Sequence, residues 1–331
     1  MERDLTYYKK YGSKRRVNGL QLPLNGQQVL GWSVLFVTGL LNFLVLTEIQ
    51  FYKLKLASMI IYAVFYSSHL IFHSIALILD PGEADLRHSG TNDVPEFDRN
   101  IHAHVIENGR CHLCNINTSD KRTKHCGLCN KCVYRFDHHC KWLNSCVGKR
   151  NYAAFIGCVT TALIISLLTS SLCLTDIVMF FNNSQSFDEK TLNYINCTNI
   201  ENHKYDVKFC MNSICFLVFL LIYLFCGVAV TCALFQLLCF HFYINILGIS
   251  TYEYIVKIQR SPNKHIEQSC SNNTNYNTNN RNCKLNANQS QLIRTQTGIV
   301  SLMTVLIAQE IEKARTVLNL DRNKIHPSVT R

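Results

Sequence analysis

Apolar positions gather along the chain into four long runs, at residues 29–49, 56–79, 152–181 and 214–248. Each reaches the length of about 20 residues that a helix needs to cross a bilayer core. The first carries only weakly polar groups along most of its length, such as Thr38, Asn42 and Thr47. Buried core helices of a soluble protein are the competing reading, but four such runs are hard to hide within one chain. The pattern predicts an all-α polytopic membrane protein with four transmembrane helices. Residues 1–28 form a polar, basic arm with no apolar core before position 29. No cleaved signal peptide is therefore expected, and the first helix reads as an uncleaved anchor.

The polar segments divide the rest. Asp80-Pro81-Gly82 is a helix-breaking turn that passes the chain from helix two into a loop, 80–151. Within that loop, 83–108 reads as irregular and 109–150 as a cysteine-rich module that abuts helix three. Residues 182–213 join helices three and four, and 249–331 form a tail. An asparagine-rich tract at 271–291 reads as a linker without fixed structure. Beyond it, Leu302, Leu306, Ile311, Ala314 and Leu318 recur at helical spacing within 299–320, which suits an interfacial or partner-bound helix rather than a span. No internal repeat is visible.

Charge orients these pieces. The net charge is +11, and its 33 Lys and Arg are unevenly spread. The arm carries Arg3, Lys9, Lys10, Lys14, Arg15 and Arg16; loop 80–151 and the tail carry eleven each. The two remaining connections hold Lys53 and Lys55, then Lys190, Lys204 and Lys208. The positive-inside rule predicts that the arm, the cysteine-rich loop and the tail face the cytosol. The basic balance also suits an anionic leaflet of the lipid bilayer, and with no basic-aromatic recognition pattern a nucleic-acid partner is not expected.

Cysteine usage fits that orientation, because cytosolic thiols stay reduced and a dense cluster there reads as a metal or catalytic site. The lumenal connection differs: Cys197 and Cys210 could pair as a disulfide, beside glycosylation sequons at Asn182 and Asn196. Polar residues inside the runs invite two readings. His69 and His73 stand four apart on one helix face, a spacing that suits metal, but such residues more often hydrogen-bond a neighbouring helix. Asp176 and His241 are read the same way, and Cys158, Cys173, Cys215, Cys226, Cys232 and Cys239 as small packing residues.

The chemistry concentrates between Cys111 and Cys146, which hold seven of the seventeen cysteines together with His125, His138 and His139. Cys111, Cys114, His125, Cys126, Cys129, Cys132, His139 and Cys146 make six thiols and two imidazoles, enough for two closed Cys3His zinc sites. Closed four-ligand sites are structural, and in a loop this poor in apolar residues metal binding and folding should be one event. Interleaved histidine favours zinc over an iron–sulfur cluster. Three residues are then left over: Asp137, His138 and Cys140. A histidine can serve a cysteine nucleophile as base, and a carboxylate can orient that histidine.

The run His125-Cys126-x2-Cys129-x2-Cys132-x4-Asp137-His138-His139-Cys140-x5-Cys146-x4-Asn151 resembles the cysteine-rich domain of the DHHC family of protein S-acyltransferases (palmitoyltransferases). The position between the second and third of four spanning helices is also similar, and the likeness covers residues 20–260. The flanks at 18–24 and 251–256 resemble the branch of zinc finger DHHC domain-containing proteins one and eleven. The resemblance implies one zinc site at Cys111, Cys114, His125 and Cys132, and another at Cys126, Cys129, His139 and Cys146. It implies Cys140 as nucleophile and acyl carrier, His138 as general base and Asp137 as its orienting partner. Asp80-Pro81-Gly82 resembles the family's Asp-Pro-Gly turn. Ser250-Thr251-Tyr252-Glu253 resembles its Thr-Thr-x-Glu motif, with Thr251 supporting the aspartate. The Cys114–His125 gap is one residue longer than usual, and Ser250 replaces the first threonine; neither change removes a functional group.

The implied activity is transfer of a long-chain acyl group from acyl-CoA, palmitoyl-CoA for example, to protein cysteines in two ping-pong steps. Extracting a fifteen-carbon tail from lipid costs on the order of 12 kcal/mol, so the thioester belongs at the cytosolic interface with its chain between helices. Lys141, Lys149 and Arg150 could meet the coenzyme A phosphates, or could be ordinary positive-inside charge. Trp142 suits the acyl boundary or, alternatively, an interfacial belt. Expected substrates are cytosolic-facing or peripheral membrane proteins with cysteines at the interface, and the expected location is an endomembrane, endoplasmic reticulum or Golgi. A membrane-anchored zinc adaptor is the competing function, although such a module has no need of Asp137, His138 and Cys140.

Overall fold

The computed structural model describes residues 14–50, 52–89, 94, 102–195 and 211–257. Residues 196–210, with Cys197, Cys210 and the Asn196 sequon, lie outside the described residues, as do the tract 271–291 and the segment 299–320. The chain divides into two units, Met1–Tyr252 and Glu253–Arg331. Of the second, residues 253–257 are described, and they are helical.

Among the described residues, four helices are long and apolar enough to cross a membrane: Gly26–Leu46, Leu54–Ile78, Tyr152–Asn182 and Met211–Ile246. The first of these is α1 (Gly26–Leu41) followed without a break by a π-helical turn, Asn42–Leu46. Next come α2 (Tyr52–Ile78), the short α3 (Ala84–Ser89), α4 (Tyr152–Asn182), α5 (Glu189–Ile195) and α6 (Met211–Ile246). The apolar runs thus lie where the pattern put them, with ends displaced by a few residues. At the start of α1 the reason is a capping box. The Asn25 side chain accepts from the Gln27 N–H at 2.9 Å, and Gln28 reaches back to the Asn25 N–H, so helical geometry begins before the apolar run does.

The prediction of an all-α protein needs correction, because the cysteine-rich loop between α2 and α4 is built from β-hairpins. Among the described residues, seven short strands form three small antiparallel sheets. The first joins β1 (Ile106–Glu107), β2 (Arg110–Cys111) and β3 (Ile116–Asn117). The second pairs β4 (Lys124–Cys126) with β5 (Lys131–Val133), and the third β6 (His138–Cys140) with β7 (Ser145–Val147). The turns explain the hairpins. Asn108 and Gly109 between β1 and β2 both have positive φ, 48° and 78°, the pairing that a tight two-residue hairpin turn requires. Asn115 and Asn130, each just after a Cys-x2-Cys pair, share that left-handed geometry at 53°.

The helical bundle is held by apolar packing and by a buried polar network. Helix α4 packs against both α2 and α6. The π-helical turn carries Asn42, fully buried, among the other three long helices. Its amide donates to the Tyr66 and Thr169 hydroxyls at 3.0 Å each, and its carbonyl accepts from Tyr223 at 2.7 Å. Nearby, the Gln50 amide reaches the Asp176 carboxylate at 2.7 Å. His69 Nδ1 lies 3.1 Å from Thr161 Oγ1, and His73 Nε2 accepts the Trp32 indole N–H at 3.0 Å. These polar groups meet side chains of neighbouring helices, which spares them desolvation without a partner.

The Asp80-Pro81-Gly82 turn does more than end α2. Asp80 accepts the Gly82 N–H at 2.9 Å and pairs with the fully buried Lys131 ammonium at 2.5 Å. Lys131 also donates to the Val17 carbonyl at 2.8 Å. Asn151, fully buried, donates to the carbonyls of Ala76 in α2 and Cys146 in β7. These contacts seat the hairpins on the end of the bundle.

Candidate functional site

Two clusters of thiols and imidazoles assemble from the hairpins: Cys111, Cys114, His125 and Cys132, and Cys126, Cys129, His139 and Cys146. Each combines a Cys-x2-Cys turn with a cysteine and a histidine brought in by strand pairing. In the first, β4–β5 pairing sets His125 opposite Cys132. In the second, β6–β7 pairing sets His139 opposite Cys146. The spacing within each set tests whether zinc fits. Bonds of about 2.3 Å to sulfur and about 2.05 Å to nitrogen at tetrahedral angles separate the two ligand atoms by about 3.5 Å. Around His125 Nδ1 the three sulfurs lie at 3.6, 3.4 and 4.0 Å. Around His139 Nδ1 they lie at 3.8, 3.3 and 3.6 Å. Both donor sets fit a zinc ion.

Strand β6 links the second cluster to the residues left over. Side chains alternate along a strand, so His139 points one way and His138 and Cys140 the other. His139 faces the sulfurs of its cluster; His138 and Cys140 share the opposite face. Cys140, buried, belongs to an apolar cluster with Ala76 and Leu77 of α2, Leu143 and Val147 of the third hairpin, and Ala154, Phe155 and Val159 of α4. Its sulfur therefore looks toward the bundle rather than toward open water.

Asp137 stands just before β6 and is fixed by five hydrogen bonds, one of them from its own N–H to the Val147 carbonyl at 3.0 Å. Its Oδ2 meets His138 Nδ1 at 2.7 Å and the Thr251 hydroxyl at 2.7 Å. Its Oδ1 accepts the Thr251 N–H at 2.9 Å, and its backbone carbonyl accepts from Tyr252 at 3.1 Å. Burial opposes a charge on Asp137, yet the hydrogen bond and charge of His138 and the two Thr251 donors hold its carboxyl down at about 2. Burial likewise opposes protonation of His138, but hydrogen bonds to Asp137 and Cys140 raise its pKa to about 10. The imidazole thus lies between a carboxylate and a thiol, the order in which a base serves a sulfur nucleophile.

Of the other residues singled out, Trp142 is 45% exposed and packs against Gly31 of α1. Lys149 and Arg150 are exposed at the junction of β7 and α4, where Arg150 donates to the Asp80 carbonyl at 2.9 Å. Lys141 is half-buried in the turn after β6.

One member of the site is expected from sequence only to hydrogen-bond a neighbouring helix, which it does through Tyr152 of α4 at 3.2 Å; its place beside Asp137 and His138 is not expected. His241, near the end of α6, has a ring nitrogen within 4.8 Å of an Asp137 oxygen and of a His138 nitrogen. The available signal was general: an ionisable side chain within a spanning helix marks a functional position by default. The role of Lys131 in seating the hairpins had no such signal, since it looks like an ordinary loop residue, and Asn151 closed the quoted motif without a role of its own.

Comparison with known proteins covers the stretch of chain that holds these residues. The family model described as DHHC palmitoyltransferase matches residues 104–258. Palmitoyltransferase ZDHHC11 of Mus musculus is 35% identical over 259 residues, covering 76% of this chain and 73% of the mouse protein. Palmitoyltransferase ZDHHC1 of Homo sapiens is 37% identical over 257 residues, 74% of this chain and 51% of that protein. Palmitoyltransferase ZDHHC11 of Homo sapiens is 37% identical over 167 residues, 50% of this chain and 39% of that protein. The matched regions thus cover less than two thirds of either Homo sapiens protein.

Proposed function

Because the chain belongs to the DHHC palmitoyltransferase family, we propose that it transfers a long-chain acyl group, palmitoyl above all, from acyl-CoA to cysteine thiols of proteins at a membrane surface. Cys140 is the nucleophile and acyl carrier, His138 the general base, Asp137 its orienting carboxylate and Thr251 the support of that carboxylate. Cys111, Cys114, His125 and Cys132 hold one zinc ion, and Cys126, Cys129, His139 and Cys146 the other. When bound, zinc supplies structure: it pins the strand that bears the reactive residues.

The reaction runs in two halves. His138 takes the Cys140 proton, and the thiolate attacks the acyl-CoA carbonyl carbon. The bond to the coenzyme sulfur breaks, and that sulfur leaves with the proton from His138. A substrate thiol then gives its proton to His138 and attacks the acyl-Cys140 carbonyl, and Cys140 leaves and is reprotonated. The single observation that carries this reading is the shared face of His138 and Cys140 on β6, turned toward the bundle, with Asp137 behind the imidazole. An apolar flank of α2 and α4 residues beside the sulfur suits an acyl chain that stays among the helices.

The hairpins, the N-terminal arm and the tail face the cytosol, as the Lys and Arg distribution argues, and the membrane is an endomembrane, endoplasmic reticulum or Golgi. Residues 1–28 are then the arm, 29–79 helices one and two, 80–151 the catalytic loop, 152–248 helices three and four, and 249–331 the tail. Acyl-CoA approaches from the cytosol, with Lys141, Lys149 and Arg150 near its phosphates and Trp142 at the acyl boundary.

The test is autoacylation of the purified, zinc-loaded protein with palmitoyl-CoA. Wild type should gain one hydroxylamine-sensitive acyl group, and Cys140→Ser should gain none. A zinc-replete wild-type protein that takes up no acyl group would leave the adaptor reading standing instead.

A further inference from the structure

Helix α6 brings to the reactive strand a histidine that neither the zinc clusters nor the Asp137–His138–Cys140 group employs. His241 is 2% exposed. Its ring meets Phe155 edge-on at 5.0 Å and lies tilted against the His138 ring at 5.9 Å. A phenylalanine would fill such an aromatic surround equally well, so packing alone does not account for an imidazole here.

The hydrogen bonds do. Asn245, one helical turn beyond His241 on α6, points its amide nitrogen at the Tyr152 oxygen, 3.1 Å away. An amide nitrogen only donates, so the phenolic hydrogen is left for another acceptor. His241 Nδ1, 3.2 Å from the same oxygen, is placed to be that acceptor. A neutral imidazole that accepts at Nδ1 carries its hydrogen on Nε2. The chain Asn245–Tyr152–His241 therefore selects one tautomer of a ring that borders both Asp137 and His138.

A metal ion shared by Asp137, His138 and His241 is the other use of such a group. It is disfavoured because both oxygens of Asp137 are already engaged, Oδ2 by His138 and the Thr251 hydroxyl and Oδ1 by the Thr251 N–H.

We propose that His241 is a positioning residue for acyl transfer: a neutral imidazole, locked in its Nε2–H form by Tyr152 and Asn245, that holds the Asp137–His138 pair in its reactive orientation. The proposal rests on the acyltransferase reading above. It makes the approach of α6 to α4 part of the site, because Tyr152 opens α4 while His241 and Asn245 close α6.

The test uses the full chain, zinc-loaded in detergent or nanodiscs, and measures the rate of acyl-Cys140 formation against palmitoyl-CoA concentration. His241→Leu should slow the saturated rate about tenfold or more, leaving the half-saturating concentration and two zinc ions per chain unchanged. His241→Gln, whose amide nitrogen falls near the position of Nε2, should recover to within about threefold of wild type. Tyr152→Phe, which removes one oxygen and keeps the ring, should cost about threefold to fivefold. Equal loss in the Leu and Gln variants, a loss that tracks zinc content, or wild-type rates in His241→Leu would overturn the proposal alone. If His241→Leu does not fold, an unchanged rate in Tyr152→Phe overturns it. No acylation of wild type would remove the acyltransferase reading, and this inference with it.

Discussion

The two cysteine–histidine clusters have the same donors and nearly the same internal distances, yet they stand differently to the reactive strand. The first takes Cys111, Cys114, His125 and Cys132 from the hairpins before β6. The second takes His139 from the middle of β6 itself. Because side chains alternate, an ion bound at His139 fixes the opposite face, on which His138 and Cys140 stand. Both clusters can fold their hairpins, but only one shares a backbone segment with the chemistry.

Five variants would break or sharpen that contrast. The largest effect belongs to Cys140→Ser. It should lower acyl-enzyme formation by about a thousandfold or more while both zinc ions remain bound, measured by acyl labelling beside metal analysis. Loss of a zinc ion in that variant would mean that the two faces of β6 are not independent.

Next come Cys129→Ser and Cys114→Ser, one ligand from each cluster. Each should reduce zinc from two to one per chain. Cys129→Ser should cost about a hundredfold in acylation and Cys114→Ser about tenfold, because the second cluster alone shares the reactive strand. Equal losses would erase the distinction.

Thr251→Val follows. It removes one hydroxyl from Asp137 but keeps the Thr251 N–H contact, so acylation should slow by about tenfold with zinc content unchanged. A wild-type rate would show that the aspartate needs no second support. The smallest effect on activity should come from Asn42→Leu in the π-helical turn. Thermal unfolding in detergent should register about 1–2 kcal/mol of lost bundle stability, with acylation within about threefold of wild type. A larger loss of activity would tie the far polar network to the reactive strand.

Much of this was legible in the chain. The four spans needed only run length. The eight donors of the two clusters needed only residue type and spacing, since a tetrahedral thiolate–imidazole site constrains both tightly. The hairpins were missed because their apolar content is too low to display an alternating pattern. Their geometry comes from turn residues such as Asn108-Gly109 and from ligand pairing across strands. The Asp80–Lys131 ion pair was missed for another reason: its partners lie 51 positions apart, and nothing local marks either as buried.

The deepest division runs through His241 and Thr251. The helical setting of His241, the motif of Thr251 and the candidacy of Cys140, His138 and Asp137 could be read from the one-dimensional pattern. The Thr251–Asp137 contact, 114 positions apart, was expected only through the family resemblance, and the entry of a histidine of α6 into the same group depended on how α4 and α6 pack and where the hairpins dock. Local composition determines spans, turns and ligand sets because those depend on neighbours in the chain. Which faces meet is decided by burial and hydrogen bonding between distant segments, which no local pattern encodes.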